Sequence, residues 1–298
     1  MSLIEVASLT VRYGGRTALD GVAFTVPEGA VYALLGRNGA GKSSLVRCLL
    51  GAQRPAAGSV RLLGRDVWRR RASILSEVGV VPEEPDAPLA MTVRQIAAFC
   101  ARLYPRWDSA RVDDRLRRFG VPVDVPFGRL SKGQKGQVSL TLALAPQPRL
   151  VILDDPTLGL DPLARRAVFE ELIVDLADHG TTVFLTSHDL AGVEGIADRV
   201  GVLRDGRLIV DEELESLKGR FRRIRFPAGG EEAGIGGLAG LAGLAPVSVA
   251  SSAWGTEAVV ARWEESREEG APRGAEVSAL TLEEIFLVVV DPAAGERS

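Results

Sequence analysis

The residues with the clearest chemical role lie between positions 36 and 44. Residues 36–43 read Gly-Arg-Asn-Gly-Ala-Gly-Lys-Ser. Closely spaced glycines let a backbone wrap a phosphate chain with its N–H groups pointing inward, and a following helix N-terminus adds positive potential. In such a loop Lys42 reaches the β- and γ-phosphates, Ser43 holds Mg²⁺ and Ser44 adds an α-phosphate contact. The candidate nucleotide-binding residues of this segment are Gly36, Arg37, Asn38, Gly39, Ala40, Gly41, Lys42, Ser43 and Ser44.

The segments on either side of this loop support that interpretation. Residues 30–35 form a short apolar run that is typical of a buried strand, and residues 44–50 have helical spacing. The alternative is a glycine-rich turn that merely joins a strand to a helix. Because all eight loop positions and both flanks agree, we predict that the chain binds a nucleoside triphosphate.

A second candidate element is a carboxylate pair after another apolar run. Residues 150–153 read Leu-Val-Ile-Leu, which suits the middle of a parallel sheet, and Asp154 and Asp155 follow directly. A carboxylate at the carboxyl end of such a strand lies beside the phosphate loop, where Asp154 can position Mg²⁺ through water.

Composition and charge exclude several other classes of protein. The chain has 298 residues, 46% of them hydrophobic, and a formal net charge of −3, which argues against nonspecific nucleic-acid binding. Cys48 and Cys100 are too few for a disulfide framework or a zinc site. The N-terminus does not have the pattern of a signal peptide, and there is no run of 18 apolar residues. We expect a cytosolic chain whose membrane role, if it has one, comes through a partner.

Periodicity outlines the remaining elements. We predict strands at 3–13, 22–26, 31–35, 60–64, 78–81, 150–153 and 182–186, and helices at 94–103, 111–119, 136–145 and 165–176. After residue 219 the composition shifts. Residues 221–226 alternate, 237–244 repeat Gly-Leu-Ala, 247–253 and 258–263 suggest a hairpin around Trp-Gly-Thr-Glu, 264–269 form an acidic loop, and 281–290 carry a helical stripe.

Further motifs fall between and after these elements in a particular order. Residues 130–134 read Leu-Ser-Lys-Gly-Gln directly before a helix, and residues 154–162 read Asp-Asp-Pro-Thr-Leu-Gly-Leu-Asp-Pro. With the phosphate loop, these segments resemble the signature of ATP-binding cassette (ABC) proteins over about residues 3–215. Tyr13 matches the aromatic that stacks on adenine, and Glu83 the loop where the family usually carries glutamine. His188 matches the switch histidine, and Asp161 the acidic residue of the loop that crosses the dimer interface.

The resemblance implies an α/β fold. It consists of a P-loop nucleotide-binding domain over 1–218, with a mostly parallel core sheet, an antiparallel β subdomain and a helical insert at about 86–146. A small C-terminal α+β domain is expected over 219–298. The resemblance also implies that two cassettes stack head to tail around two ATP molecules. Each ATP then lies on one subunit's phosphate loop and is capped by Ser131, Gly133 and Gln134 of the other.

Three positions depart from the family's pattern. The residue after Asp154 is usually a glutamate that polarises the attacking water, but here it is Asp155, whose carboxylate is one methylene shorter. Misplacement of about 1 Å can reduce a rate ~10²-fold, so we expect slow hydrolysis unless the backbone compensates. Glu83 replaces glutamine, where it can still meet Mg²⁺, although Glu84 leaves that assignment open by one residue. Lys132 replaces the first glycine of the usual pair, and either reaches phosphate or faces solvent.

The sequence therefore predicts an ATP-hydrolysing motor subunit of an ABC transporter, bound to ATP and Mg²⁺. Residues 104–108 and 282–286 resemble bacterial exporters of the peptide-antibiotic-resistance type, in which motor and permease are separate chains. The expected partners are transmembrane permease subunits and a second ABC subunit, identical or different, at the inner face of the cell membrane. Two alternatives remain open: a slow or inactive nucleotide switch, and a soluble ABC ATPase that acts on ribosomes or DNA.

Overall fold

The chain forms two compact units, Met1–Asp211 and Glu212–Ser298. A computed structural model describes residues 1–227, 246–252, 255–263 and 275–291. The division comes a few residues before the boundary predicted at 218, which stays a prediction.

Every strand and helix predicted for the first unit is present, although the strand predicted at 22–26 already begins at Arg16 and the unit has several further elements that the sequence does not predict. Its strands are β1 (Ser2–Tyr13), β2 (Arg16–Pro27), β3 (Val31–Leu35), β4 (Ala57–Leu62), β5 (Arg65–Asp66), β6 (Val78–Val81), β7 (Leu150–Asp154), β8 (Thr182–Thr186), β9 (Arg199–Arg204) and β10 (Arg207–Glu213), the last of which crosses the unit boundary. Its helices are α1 (Lys42–Leu49), α2 (Arg71–Leu75), α3 (Val93–Ala101), α4 (Ser109–Arg118), α5 (Lys132–Leu144), α6 (Pro162–His179) and α7 (Leu190–Glu194). The strand predicted at 60–64 ends earlier than expected, because Leu63 and Gly64 both have positive φ and turn the chain toward β5.

A six-stranded sheet forms the centre of this unit, in the order β10-β9-β3-β8-β7-β6. The neighbouring pairs β6/β7, β7/β8, β8/β3 and β3/β9 are parallel. Every residue of β3 and β8 is buried, which explains why their sequences are continuous apolar runs rather than alternating ones. The mostly parallel core sheet is confirmed, and it brings the carboxyl ends of β3, β7 and β8 to one edge.

The predicted antiparallel β subdomain is also present. Its four strands follow the order β2-β1-β4-β5, and β1 pairs antiparallel with both β2 and β4. A two-residue turn, Gly14-Gly15, joins β1 to β2, and Tyr13 lies opposite Arg16 in the register. The turn therefore places these two side chains at one end of the sheet.

Helices α3, α4 and α5 form the helical insert and carry their own apolar cluster. Thr92 and Ser131 cap α3 and α5 in reciprocal capping boxes with Gln95 and Gln134. Val93, Leu116 and Phe127 are among the fully buried members of the cluster. The insert therefore has a hydrophobic core distinct from the one beneath the central sheet.

A buried group of charges joins α4 to α6. Arg115 Nε donates to Glu171 at 2.7 Å, and Arg115 Nη2 lies 3.5 Å from Asp175. All three side chains are at most 5% exposed. The Thr181 hydroxyl donates to Asp175 at 3.0 Å, so the carboxylates of α6 are satisfied by both the insert and the start of β8. Removing one partner of such a buried group leaves an uncompensated charge, so the packing of α4 against α6 depends on all of its members.

The second unit is a small α+β assembly. It contains α8 (Leu214–Arg220), β11 (Arg222–Pro227), β12 (Pro246–Ser252), β13 (Gly255–Val260), β14 (Glu276–Ala279) and α9 (Leu282–Val290), with strand order β12-β13-β11-β14. The predicted hairpin is present, but β13 begins at Gly255, so the expected turn residues 255–257 already pair with β12. Thr281 caps α9 with Glu284. The repeats at 237–244 and the acidic loop at 264–269 lie outside the described residues.

Within the described ranges, none of the helices is both long and apolar enough to cross a membrane.

Candidate nucleotide site

The phosphate loop joins the end of β3 to α1, as the sequence predicts. Gly41 is the N-cap of α1 with φ +114°, and Gly39 has φ +81°. A Cβ on Gly41 would lie 2.6 Å from the Ala18 carbonyl oxygen, and one on Gly36 would lie 2.6 Å from that of Leu203. Only glycine fits these positions, because side chains are excluded by conformation, by neighbouring backbone or by both.

Lys42 is held inside the loop. Its ammonium donates to the carbonyl of Gly36 at 2.6 Å and to that of Arg37 at 3.4 Å, and the residue is only 8% exposed. Burial lowers the pKa of Lys42, while the nearby carboxylates of Asp155, Asp154 and Glu83 act in the opposite direction. The Lys42 ammonium is largely shielded from water, so its positive charge needs a partner. An anionic ligand that enters the loop provides that partner.

The two consecutive aspartates lie at the end of β7, opposite the end of β8. Asp154 and Thr186 are paired residues of these strands, and the Thr186 hydroxyl donates to Asp154 Oδ1 at 2.6 Å. The backbone N–H of Asp155 donates to the carbonyl and the hydroxyl oxygens of Thr186, at 3.1 and 3.0 Å. Thr186 thus fixes both aspartates at the edge of the sheet.

Asp155 has an unusual backbone and an unusual environment. Its φ is +49°, in the left-handed region that Asp tolerates better than most side chains. Its carboxylate Oδ2 lies 3.4 Å from Nε2 of His188. Burial raises the pKa of Asp155, and Glu83 adds to that effect, whereas His188 and Lys42 oppose it. The site therefore contains a buried carboxylate beside an imidazole, which is an arrangement suited to general base chemistry.

These groups surround one cleft of about 550 Å³. Tyr13, Asn38 and Ser44 line it from different elements, and Glu83 lines it whereas Glu84 does not. The full lining is Tyr13, Arg16, Ala18, Arg37, Asn38, Gly39, Gly41, Lys42, Ser43, Ser44, Glu83, Asp154, Asp155, Thr186 and His188. The cleft brings together most of the residues that the sequence singled out as nucleotide ligands, metal ligands or catalytic groups.

The remaining predicted residues do not line this cleft. Two of them, Gly36 and Ala40, belong to the phosphate loop itself. The others are Ser131, Gly133, Gln134 and Asp161. Ser131 is exposed at the N-terminus of α5, where its hydroxyl accepts from Gln134 N–H. Asp161 is exposed and accepts from the N–H of Ala164 at the start of α6. One chain therefore carries these last four residues on a surface other than its own cleft.

Lys132 faces solvent in this single chain, and its contact with a phosphate on another subunit stays a prediction. The side chain is exposed, but its stem lies against Gly159, where a Cβ would be 3.0 Å from Lys132 Cδ. Gly133 faces Leu160 in the same way, since a Cβ on Gly133 would lie 3.0 Å from Leu160 Cδ2. The start of α5 thus packs directly against the loop that follows Asp155.

The oxygen groups near the phosphate loop suit Mg²⁺. Magnesium is usually held by one or two carboxylates together with substrate phosphates and waters, rather than by a complete protein cage. Ser43, Asp154 and Glu83 supply a hydroxyl and two carboxylates around the cleft. Among the described residues there is no cluster of three or more His, Cys, Asp or Glu side chains arranged to hold a metal by themselves.

Two residues of the site are missed by the sequence patterns. Arg16 follows a glycine pair in a polar stretch that has no strand signal, and only the register of the β1–β2 hairpin carries it to the cleft. For Thr186 the sequence predicts only the end of a strand. Its position opposite Asp154 depends on the pairing of β7 with β8, which connects residues 32 positions apart.

Comparison with known proteins identifies the family. A family profile described as "ABC transporter" matches residues 19–158. The bacitracin transport ATP-binding protein BcrA of Bacillus licheniformis is 32% identical over 225 residues, which cover 74% of this chain and 73% of the relative. The Nod factor export ATP-binding protein I of Rhizobium meliloti is 38% identical over 214 residues, covering 70% of this chain and 63% of the relative.

A solved structure of an ATP-binding subunit of an ABC transporter has a similar fold. It superposes with a TM-score of 0.66 and 29% identity, covering 72% of this chain and 92% of that one. The sequence-based assignment and the predicted fold class are both confirmed. The chain belongs to the ABC transporter family, as one of its ATP-binding subunits.

Proposed function

We propose that this subunit hydrolyses ATP as the motor of an exporter, and that it drives a separate permease by closing against a second ABC subunit. The observation that carries this proposal is the separation of Ser131 and Asp161 from the cleft of their own chain. A site that needs both sets of residues requires two subunits.

The start of α5 is suited to contact the nucleotide of another subunit. The first N–H groups of a helix have no partner within the helix, and they carry the positive end of its dipole. In α5 the capping box uses the N–H of Gln134, which leaves those of Lys132 and Gly133 available to an oxyanion. The head-to-tail dimer supplies that oxyanion as the terminal phosphate on the opposite subunit.

Within one cleft, different residues have different roles in ATP binding and hydrolysis. The loop N–H groups and Lys42 hold the phosphates, and Tyr13 stacks on adenine at the rim. Ser43, Asp154 and Glu83 would hold Mg²⁺, which neutralises charge on the phosphates when bound. Asp155 accepts a proton from the attacking water, and His188, 3.4 Å away, orients that carboxylate and contacts the terminal phosphate.

A second groove suits the permease. It has a volume of about 620 Å³ and is lined by residues of β6, the α3–α4 connection and the end of α5. Its lining combines apolar Val80 and Leu142 with charged Glu77, Arg106 and Arg149. A short amphipathic cytoplasmic helix of a permease fits a groove of this composition, which supports a contact on the predicted insert.

Export is the direction supported by the relatives. Their names describe bacitracin transport and Nod factor export, and we extend export, but not either cargo, to this chain. The subunit then works on the inner face of the cell membrane. Reconstitution with its permease in inside-out vesicles tests the direction, since ATP outside must drive accumulation of the cargo.

A second candidate is a slow nucleotide switch, which Asp155 favours because its carboxylate is one methylene shorter than that of glutamate. Steady-state turnover separates the two candidates. A motor sustains ATP hydrolysis that the permease stimulates, whereas a switch binds ATP and closes without sustained turnover.

Mixing two inactive variants tests the shared site. Lys42→Ala removes the phosphate grip and Ser131→Arg blocks the signature, so each variant alone loses hydrolysis. A mixed dimer contains one doubly defective site and one intact site, because the wild-type Lys42 of one chain meets the wild-type Ser131 of the other. Mixing must restore ATPase activity above either variant alone. Mixtures that stay inactive at every ratio, although the wild-type dimer is active, would refute the head-to-tail arrangement.

A further inference from the structure

The tip of the β1–β2 hairpin holds two different side chains at the rim of the cleft. Tyr13 and Arg16 are directly opposed across the Gly14-Gly15 turn. Opposed residues of an antiparallel pair have Cβ atoms about 5 Å apart. Gly14 adopts φ +55°, which allows the tight two-residue connection. The position of Arg16 is therefore set by the same hairpin that sets the position of Tyr13.

Arg16 extends from that tip to the phosphate loop. Its Nη2 atom lies 3.8 Å from the place that a Cβ on Gly39 would occupy, and both residues line the cleft. Gly39 lies in the middle of the loop, three residues before Lys42. The guanidinium thus lies on the side of the cleft where the loop's N–H groups hold phosphate.

The charge of Arg16 has no partner among the residues that the structure describes. The Lys42 ammonium lies near three carboxylates, those of Asp155, Asp154 and Glu83. Over the ranges that the structure describes, no hydrogen bond or ion pair engages the side chain of Arg16. A guanidinium carries five N–H donors in a planar fork that matches phosphate oxygens. The group is thus available to an anion that enters the cleft.

We propose that Arg16 is a further nucleotide-binding residue, which contacts the phosphate chain of a nucleoside polyphosphate. The inference deepens the proposed function and depends on the cleft being the ATP site. Arg16 joins the adenine end of the site to the phosphate end, because one hairpin carries both it and Tyr13. It discriminates between ligands by their phosphates and not by their base.

A nucleotide series tests this role. Binding of ATP, ADP, AMP and adenosine is measured by competition against a fluorescent ATP analogue. For Arg16→Ala we expect about a tenfold loss of affinity for ATP and ADP, equivalent to about 1.4 kcal/mol, and no change for adenosine. Arg16→Lys keeps the positive charge but lacks the planar guanidinium, so its affinity for ATP should lie between those of Arg16→Ala and the wild type. Arg12→Ala is the matched control, because Arg12 is an exposed arginine of the same hairpin that does not line the cleft.

Two results would overturn the inference: unchanged ATP affinity in Arg16→Ala, or an equal loss for ATP and adenosine. An equal loss for ATP and adenosine would mean that Arg16 supports the position of Tyr13 and does not contact phosphate. Lys42→Ala separates this failure from failure of the site itself. If Lys42→Ala binds ATP as the wild type does, the proposed site is wrong. If Lys42→Ala loses binding while Arg16→Ala retains it, only the role of Arg16 is wrong.

Discussion

The Nε2 atom of His188 lies 3.4 Å from Oδ2 of Asp155. Burial raises the pKa of Asp155, and the neighbouring His188 acts in the opposite direction. Asp155 is 7% exposed and His188 is 44% exposed, measured on their side chains. The pair thus has a fixed buried acid and a ring that faces the open cleft.

The length of the Asp155 side chain is expected to limit turnover. Asp155→Glu moves the carboxylate forward and should raise the steady-state ATPase rate by between about tenfold and about 10²-fold. Because the left-handed backbone at this position disfavours glutamate, the increase in rate should be closer to about tenfold. Asp155→Asn is the control, since it should bind ATP with nearly wild-type affinity and hydrolyse almost none. A rate in Asp155→Glu no higher than wild type would contradict slow hydrolysis caused by a short side chain.

The acid limb of the pH–rate profile is expected to depend on Glu83. Burial raises the pKa of Asp155, and the negative charge of Glu83 raises it further. As the pH falls, Asp155 is therefore protonated at a higher pH than an ordinary aspartate, and a protonated Asp155 cannot act as the base. Glu83→Gln removes that negative charge. The acid limb of kcat/KM for ATP should then move to lower pH. In His188→Gln, whose residual rate is measured in the same way, it should move to higher pH, because His188 lowers the pKa of Asp155. Shifts in the same direction for both variants would rule out this electrostatic account.

The glycines of the phosphate loop should not tolerate a methyl group. Gly41→Ala places a Cβ 2.6 Å from the Ala18 carbonyl oxygen and 2.8 Å from Leu19 Cδ2, at a φ of +114°. We expect ATP affinity to fall at least about tenfold, because a strained left-handed backbone costs about 1–3 kcal/mol and about 1.4 kcal/mol corresponds to a tenfold change in affinity. Titration calorimetry measures the affinity. Gly219→Ala is the control, since a Cβ there has no neighbour within 4 Å. Equal affinities in the two variants would mean that the loop adapts.

Arg115 should contribute much more to stability than an exposed arginine of the same helix. Arg115→Met leaves Asp175 buried without its arginine partner, whereas Glu171 keeps its contact with Arg118; removing one partner of a buried ion pair typically costs about 3–5 kcal/mol. Arg117→Met removes an exposed pair with Asp114 and should change the free energy of unfolding by at most about 1 kcal/mol. Urea denaturation of both variants measures the difference. Adding Asp175→Asn to Arg115→Met should recover part of the loss, because it neutralises the buried carboxylate that has lost its arginine. Similar losses for Arg115→Met and Arg117→Met would show that the buried group contributes little.

The parts of this structure that the sequence predicts are those with strong local patterns. The apolar runs of β3, β7 and β8 and the glycine loop are recognisable without knowledge of their neighbours, because burial on both faces and positive φ require particular residue types. Strands β9 and β10 have no such pattern, since their residues mix arginines and carboxylates with apolar side chains. The roles of Arg16 and Thr186 depend on strand register, and the left-handed φ of Asp155 has no glycine to indicate it. These features arise from pairing across the sheet, which a local pattern does not contain.

The charges shared by α4 and α6 also limit how this domain can be divided. The helical insert has its own apolar core, which makes it look like a module that could be removed or exchanged. Removing it would leave Glu171 and Asp175 on α6 without their arginines; among the described residues outside the insert, the ring of His179 lies 3.5 Å from Asp175. Grafting a foreign insert would have the same result unless it supplied an arginine at the place of Arg115. The insert and the sheet domain therefore have separate hydrophobic cores but share a group of buried charges. A chimera of this subunit has to transfer α4 and α6 together.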